Sequence, residues 1–360
     1  MNNITLTVNN LTYQGWKSAR IEVGLERIAR SFELSITDLW PGHVAEITRV
    51  KPGDLVEIRI DNDLVCTGYI DATPIDYDAN GITIMMRGRS KTADLVDSSA
   101  DISTGQFKNL NAQAIAQKLA DPYGLLVLAQ VAVGNPITDF QIQQGESAFE
   151  ALDRIAKCRQ ILITDNAAGD VLLAAPGSNG LANDTLVLGD NILSGSAGFD
   201  FTEVYSKYEV KGQKSGTDDA YGSAAAQMTG TAVDSQVVRK RVLIIRQSGQ
   251  ADNQTCQDRA NYEQQVRRAK AGECRYRVQS WRQSNGDLWT CNSTVQITDG
   301  IMGINTNLLI SGVTYTLDES GLITELVVIP PAAFATEPEV KAKAKIRKKS
   351  DKGVDTSWVD

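Results

Sequence analysis

The stretch from Lys51 to Ser99, KPGDLVEIRIDNDLVCTGYIDATPIDYDANGITIMMRGRSKTADLVDSS, constrains the fold more than any other part of the chain. Pro52-Gly53-Asp54 opens it, Asp61-Asn62-Asp63 turns the chain, and Asp78-Ala79-Asn80-Gly81 turns it again. Between the turns Val56, Ile58 and Ile60 alternate with polar residues, and Ile82, Ile84 and Met86 do the same. An apolar period of two, bounded by Asn, Asp and Gly turns, specifies antiparallel strands with one buried face. Nothing in the run is spaced for chemistry, so it reads as scaffold.

The same alternation appears upstream, with Ile21 and Val23 in one segment and Phe32, Leu34 and Ile36 in the next. Residues 1–95 are thus expected to be all-β, a small barrel or sandwich. The texture changes after Ser99. Residues 110–120 place Leu110, Ala114, Ile115 and Leu119 on one helical stripe, ended by Asp121-Pro122. Ser147 and Glu150 form a capping box at the head of a helix that buries Phe149, Leu152 and Ile155 or Ala156. Strands over 161–164 and 170–175, joined around Gly169, complete an α/β module of about 75 residues.

A second β region begins near Leu186, with Val204, Tyr208 and Val210 on one face. Residues 212–235, rich in Gly, Ser, Ala, Thr and Asp, read as a long loop, and 237–247 as extended chain. Residues 255–271 form a helix with Gly272 as its C-cap. Segments 275–283 and 288–297 flank Ser284-Asn285-Gly286-Asp287 and are expected to pair as a hairpin. A second hairpin joins 308–318 to 322–330 around Glu319-Ser320-Gly321, and Pro330-Pro331 closes the fold. Residues 332–360 are a basic tail of low apolar content.

A length of 360 residues points to roughly two to three domains. No apolar run approaches the ~20 residues of a membrane-spanning helix. The opening MNNITLTVNN lacks a basic and then apolar leader, so the sequons at Asn3, Asn10, Asn183, Asn253 and Asn292 carry no weight. Cysteines at 66, 158, 256, 274 and 291, with no CxxC, fit free thiols rather than a disulfide framework or a zinc site. Cys274 and Cys291 flank the expected hairpin and read as two small core residues. The net charge is −8, and without the six positive side chains of 340–350 the body is more acidic still. Affinity for phosphate is built on Lys and Arg, so this body is not made to grip nucleic acid, though DNA can slide past such a wall.

His43, after Pro41-Gly42, is the chain's one histidine. That rules out multi-histidine metal sites, and any Ser-His-Asp or Cys-His site has to use this loop residue. There is no G-x-S-x-G and no Walker A motif, and Gly195 and Gly198 in SGSAG read as a loop. A glycosidase-type carboxylate pair stays open, because its members need not be neighbours in sequence. Arg87, Arg89 and Lys91 alternate at a strand end, either facing a partner or, the favoured reading, forming a charged solvent-facing edge. Trp281 and Trp289 straddle the hairpin as an interface pair or as cross-strand core packing. No catalytic, cofactor-binding or metal residue is assigned and no cofactor is expected. The candidate partner contacts are Lys341, Lys343, Lys345, Arg347, Lys348 and Lys349.

These segments carry a resemblance. Gly15-Trp16 with IEVGLERIARSFEL (21–34), PGDLV (52–56), TGYID (67–71) and GRSKTADLVD (88–97) are similar to the Mu-like baseplate hub proteins, and more broadly to the late-control-D hubs of contractile tails. LADPYG (119–124), QQGESAFEALDRIAK (143–157), GDNIL (189–193), GDLWTCNSTVQITD (286–299) and LLISGVTYTLDESG (308–321) continue the likeness to Phe334. The resemblance implies a β-rich α+β fold: two small β-barrel domains plus an α/β module, in a ring-forming homotrimer. The related folds are the T-even hub and the N-terminal part of VgrG. The implied domains are 1–97 for the first barrel, 98–180 for the module with 236–285 packed on it, and 181–235 with 286–331 for the second barrel, leaving 332–360 as the tail.

The implied function is structural: a trimeric baseplate hub joining a hexameric tail tube to a trimeric central spike and passing DNA through its lumen. The implied partners are the spike, the tube or its initiator, and the wedge proteins. The place is the virion baseplate, assembled in the host cytoplasm, and no enzymatic activity is expected. The alternative is a hub of a type VI secretion or pyocin-like machine. A tail-associated peptidoglycan hydrolase ranks lower, since little chain follows the last strand to hold a catalytic domain.

Overall fold

The computed structural model describes residues 3–25, 27–38, 50–78, 81–101, 105–159, 161–213, 228–250 and 252–335. The N-terminal strands are β1 (Ile4–Val8), β2 (Leu11–Tyr13), β3 (Ser18–Gly24), β4 (Ser31–Asp38), β5 (Leu55–Ile60), β6 (Asp63–Ala72), β7 (Ile75–Tyr77) and β8 (Ile82–Ser90). Their alternation is the one the sequence carries. Val56, Ile58, Ile60, Ile82, Ile84 and Met86 are all buried. Asp61, at φ +52°, turns β5 into β6, and the Asp78 amide donates to the Gly81 carbonyl at 3.0 Å to close the next turn. β8 is an interior strand, flanked by β4 on one side and by β6 and β7 on the other. Arg87 and Arg89 are therefore not on a sheet edge. They sit on a sheet face, where Arg87 pairs with Glu33 and Arg89 with Asp71 and Asp97.

The module follows as α1 (Ala93–Asp97), β9 (Gln106–Leu110), α2 (Ala112–Ala120), β10 (Val127–Ala129), β11 (Ile137–Gln141), α3 (Ala148–Arg159), β12 (Leu162–Asp165) and β13 (Val171–Ala174). The Asn111 side chain accepts from the Ala114 amide and starts α2 there, which leaves Leu110 at the end of a strand rather than on the helical stripe. The capping box forms in both directions: Ser147 Oγ accepts from the Glu150 amide at 3.1 Å, and Glu150 Oε2 accepts from the Ser147 amide at 2.7 Å. Phe107, Ile115, Leu119, Phe140, Leu152 and Ile155 build a core of the module's own.

The remaining elements are β14 (Leu186–Val187), β15 (Ile192–Ala197), β16 (Lys207–Gln213), β17 (Met228–Val233), β18 (Val242–Gln250), α4 (Asn253–Lys270), β19 (Cys274–Gln279), β20 (Thr294–Asp299), β21 (Ile304–Asp318) and β22 (Gly321–Ile329). Four expectations are corrected here. The supposed long loop 212–235 contains β17, whose small residues let a helix lie close: a Cβ on Gly230 would sit 2.2 Å from the Cys256 backbone carbon. Gly195 of SGSAG is in a strand, opposite Tyr276. Gly272 lies just past α4, but Ala271 is the C-cap and its right-handed backbone asks for no glycine. The 275–297 hairpin exists only at its tip, where Gln283 and Trp289 bond back across Gly286 at φ +92°. Its arms diverge, β19 pairing with β22 and β20 with β21.

Among the described residues fourteen strands form one continuous sheet, ordered β15-β19-β22-β21-β3-β4-β8-β6-β5-β1-β2 with β20, β14 and β7 attached off that path. A single apolar core runs through it, from Ile4, Ile58 and Leu34 to Tyr276, Trp281, Val295 and Leu326. β16, β17 and β18 make a separate sheet covered by α4, with Tyr208, Val210, Cys256 and Ala260 between the layers.

The large sheet contains one five-strand arrangement twice. β3, β4, β5, β6 and β8 recur, in the same chain order and with the same antiparallel neighbours, as β15, β19, β20, β21 and β22. The match extends to register. Both units carry a bulge in the same place, between Ile70 and Ala72 and between Ile310 and Gly312. Tyr77 lies opposite Ile82 and Leu317 opposite Leu322, so β6 followed by β7 corresponds to the single long β21. The units differ in their insertions. β3 and β4 are joined directly, whereas β16–β18 and α4 intervene between β15 and β19.

Candidate assembly interface

Among the described residues no group of three or more His, Cys, Asp or Glu is placed to hold a metal ion. The sites to weigh are therefore surfaces and strand edges, where an unpaired row of N–H and C=O groups invites another chain. The candidate contacts Lys341, Lys343, Lys345, Arg347, Lys348 and Lys349 lie outside the described residues, as does His43. Trp281 and Trp289 are core residues. Trp281 Nε1 donates to the Thr316 carbonyl at 3.0 Å and its ring meets Tyr315 edge-on, while the Tyr315 hydroxyl donates to the Trp289 carbonyl. Cys66, Cys256, Cys274 and Cys291 are free thiols. Cys274 donates to the Gly272 carbonyl and Cys291 to the Val23 carbonyl, so the two face different groups. Burial pushes the Cys66 and Cys291 thiols up to about 12.

One polar knot fixes the module to the sheet. Arg30, between β3 and β4, donates from Nε to Asp165 Oδ1 at 2.9 Å, from Nη2 to the Asp165 carbonyl at 3.0 Å and from Nη1 to the Val65 carbonyl at 2.8 Å. Ser90 Oγ donates to Asp165 Oδ2 at 2.7 Å, and Thr92 Oγ1 donates to the Ile28 carbonyl at 2.8 Å. Burial raises the Asp165 carboxyl above its ordinary value against the pull of Arg30 and Ser90. The sequence offers no cue to this knot, because its members lie far apart along the chain.

The two five-strand units meet inside the chain where β3 pairs with β21: Val23 opposite Val313, Ile21 opposite Tyr315, Ala19 opposite Leu317. Ile21, Val313 and Tyr315 are buried there. Among the described residues the corresponding outer edges of the two units have no strand partner. Among these residues β7 pairs only with β8, and leaves Ile75 49% and Tyr77 79% exposed. Likewise, among the described residues β15 pairs only with β19, and the chain around it exposes Leu193, Phe199 (54%) and Phe201. Residues 191–199, NILSGSAGF, contain no charged side chain, although charges and prolines are the usual protection of a free edge. That uncharged run is the signal in the sequence that marks this edge, and reading SGSAG as a loop passes over it.

Known proteins give the surfaces a context. Three family models match in order: the N-terminal domain of Mu phage baseplate assembly protein GpP-like over 3–90, the second domain of baseplate hub protein gp44-like over 92–175, and the fourth domain of Mu phage baseplate assembly protein GpP over 252–337. The chain is 34% identical over 98% of its length to the baseplate hub protein gp44 of Escherichia phage Mu, covering 94% of that protein. Its fold matches the crystal structure of a 43 kDa tail protein from prophage MuSo2 of Shewanella oneidensis, with TM-score 0.83, 31% identity, and coverage of 94% of this chain and all of that one. A tail protein from Neisseria meningitidis MC58 shares the fold at TM-score 0.76 and 20% identity, over 93% of this chain and 99% of that one. With the likeness to the Mu protein running the length of the sequence and the fold matching over 94% of the chain, the chain belongs to the Mu-like baseplate hub family.

Proposed function

We propose that this protein is the structural hub of a phage tail baseplate, three copies forming a ring that joins the six-fold tail tube to the three-fold spike. The observation that carries this reading is the internal duplication. A chain holding two copies of one five-strand unit presents six similar units from three molecules, which is the geometry needed to meet a three-fold partner on one face and a six-fold partner on the other. The two units are the barrel-like, ring-forming parts, with the α/β module and the β16–β18 and α4 unit outside them. The work is mechanical: the hub holds tube and spike in register, and no bond is made or broken. An acidic body suits a lumen through which DNA passes without adhering. The partners are the spike, the tube or its initiator, and the wedge proteins, and the place is the virion baseplate assembled in the host cytoplasm. Full-length identity to phage and prophage tail proteins favours a phage tail over a secretion machine.

Light scattering over a dilution series tests the ring. A stable mass of three chains, each of 39.0 kDa, is the expected result. A monomer that persists after the spike is added contradicts it. The six cations from Lys341 to Lys349 are assigned to an acidic face of the spike or of a neighbouring hub chain. Truncation at Glu337 is expected to weaken spike binding, most strongly at low salt where screening is least. Equal affinity with and without the tail at low salt removes that assignment.

A further inference from the structure

The junction between the two units inside the chain is a template for the junction between chains. We infer that the ring closes by antiparallel pairing of β7 in one protomer with β15 in the next, repeating between copies the pairing that β21 makes with β3 within one copy. The inference rests on the ring reading above and names the surfaces that form it.

The argument is one of register. β21 presents Val313, Tyr315 and Leu317 to Val23, Ile21 and Ala19 of β3. In the duplicated arrangement the positions matching Val313, Tyr315 and Leu317 are Thr73, Ile75 and Tyr77. Those matching Ile21 and Ala19 are Ala197 and Gly195, and Phe199, two residues past the end of β15, takes the place of Val23 when the strand is continued. Transferring the pairing places Ile75 opposite Ala197 and Tyr77 opposite Gly195 of the next protomer.

Each transferred pair completes a buried row that now stops at an open edge. On one side Ile84, buried, lies beside the exposed Ile75; on the other Ala197 lies beside the buried Cys274 and Val328. Joined, they run as one apolar row across both molecules. The second row joins Ile82 and Tyr77 to Gly195, Tyr276 and Leu326. The size match is also that of the internal junction, where a large residue faces a small one at Leu317 and Ala19. Gly195 is closely packed underneath: a Cβ there would lie 2.9 Å from Met302 and 3.1 Å from the Tyr276 ring. Charge agrees as well. β7 carries Asp76, which falls opposite Ser196 of the next chain, and the strand behind Ser196 presents Arg275 in the same row. Pairing the edges covers Ile75 and Tyr77 of the large sheet and Phe199 just past β15, three exposed large apolar side chains. Such a head-to-tail contact closes into a ring when its turn angle matches the internal one, which the duplication supplies.

Two sets of variants test the seam. Ile75→Lys and Phe199→Lys put a charge on each edge without touching the core, so the melting curve should stay put while the mass in solution falls from three chains to one. Independently, the double variant Ile75→Cys with Ala197→Cys should yield covalent dimers and trimers on mild oxidation, and neither single variant should do so. A wild-type trimer that survives both lysine variants, with no cross-link in the double variant, overturns the seam and leaves the ring standing. A wild type that stays monomeric at every concentration, spike included, overturns the ring and the seam together.

Discussion

Arg30 and Asp165 show what a single buried residue does here. Their side chains are 14% and 1% exposed, and Arg30 Nε and Nη2 and both Asp165 carboxylate oxygens hold β12 against the large sheet, while Arg30 Nη1 is spent on the Val65 carbonyl of β6. Removing one partner of a buried pair leaves a desolvated charge behind, which costs about 3–5 kcal/mol. Asp165→Ala is therefore expected to lower stability by that order in urea unfolding, whereas replacing Arg30 and Asp165 together by Met and Leu should be far milder. Equal losses in the two variants would show that the pair acts by shape alone. Cys66 gives a second expectation at this scale. With its thiol raised to about 12 by burial, only about one molecule in ten thousand is thiolate at pH 8. Alkylation of Cys66 should then proceed at the rate of global unfolding, and labelling within seconds in native buffer would contradict the buried position.

Among the elements, close approach decides more than propensity. β17 is built from Met228, Thr229, Gly230, Thr231, Ala232 and Val233, a weak strand by composition, and it is held by α4 lying across its small residues. Gly230→Ala should force the two apart and cost about 3 kcal/mol, at the upper end for overpacking. Hydrogen exchange should show the loss in β16–β18 and α4 while the large sheet stays protected. A melt unchanged from wild type would mean that the helix has room to shift. The same contrast explains what was legible in the sequence. β5, β6, β8, β21, β22 and the capping box at the head of α3 declare themselves through neighbours in the chain: alternation, an Asp-Asn turn, a Ser with its Glu. β15 and β17 do not, because small and uncharged residues look like loop until the ring of Tyr276 or the backbone of Cys256 is seen above them. The arms of the Asn285-Gly286 turn part in the structure for a related reason. Turn chemistry specifies the tip, while the partners of β19 and β20 are chosen by strands elsewhere in the chain.

At the scale of the molecule the family likeness is legible and through it implies two small β-barrel domains, but no repeat of residues in the sequence shows the duplication. The two units share an arrangement of strands and a bulge, with Leu34 and Met86 in one occupying the places of Tyr276 and Leu326 in the other. Side chains of such different size leave the likeness visible in hydrogen-bond register and not in letters. The duplication has a consequence for motion. β21 runs for 15 residues, about 50 Å at the rise of a strand, and it pairs with β20, β22 and β3 along its length. It is a spar common to both units, and a hinge between them would have to break its ladder. The softest vibrations of an assembled ring should thus treat each chain as one stiff body. In the proposed ring, three such bodies joined at three seams would have only three places to flex, where a ring of six separate units would have twice as many.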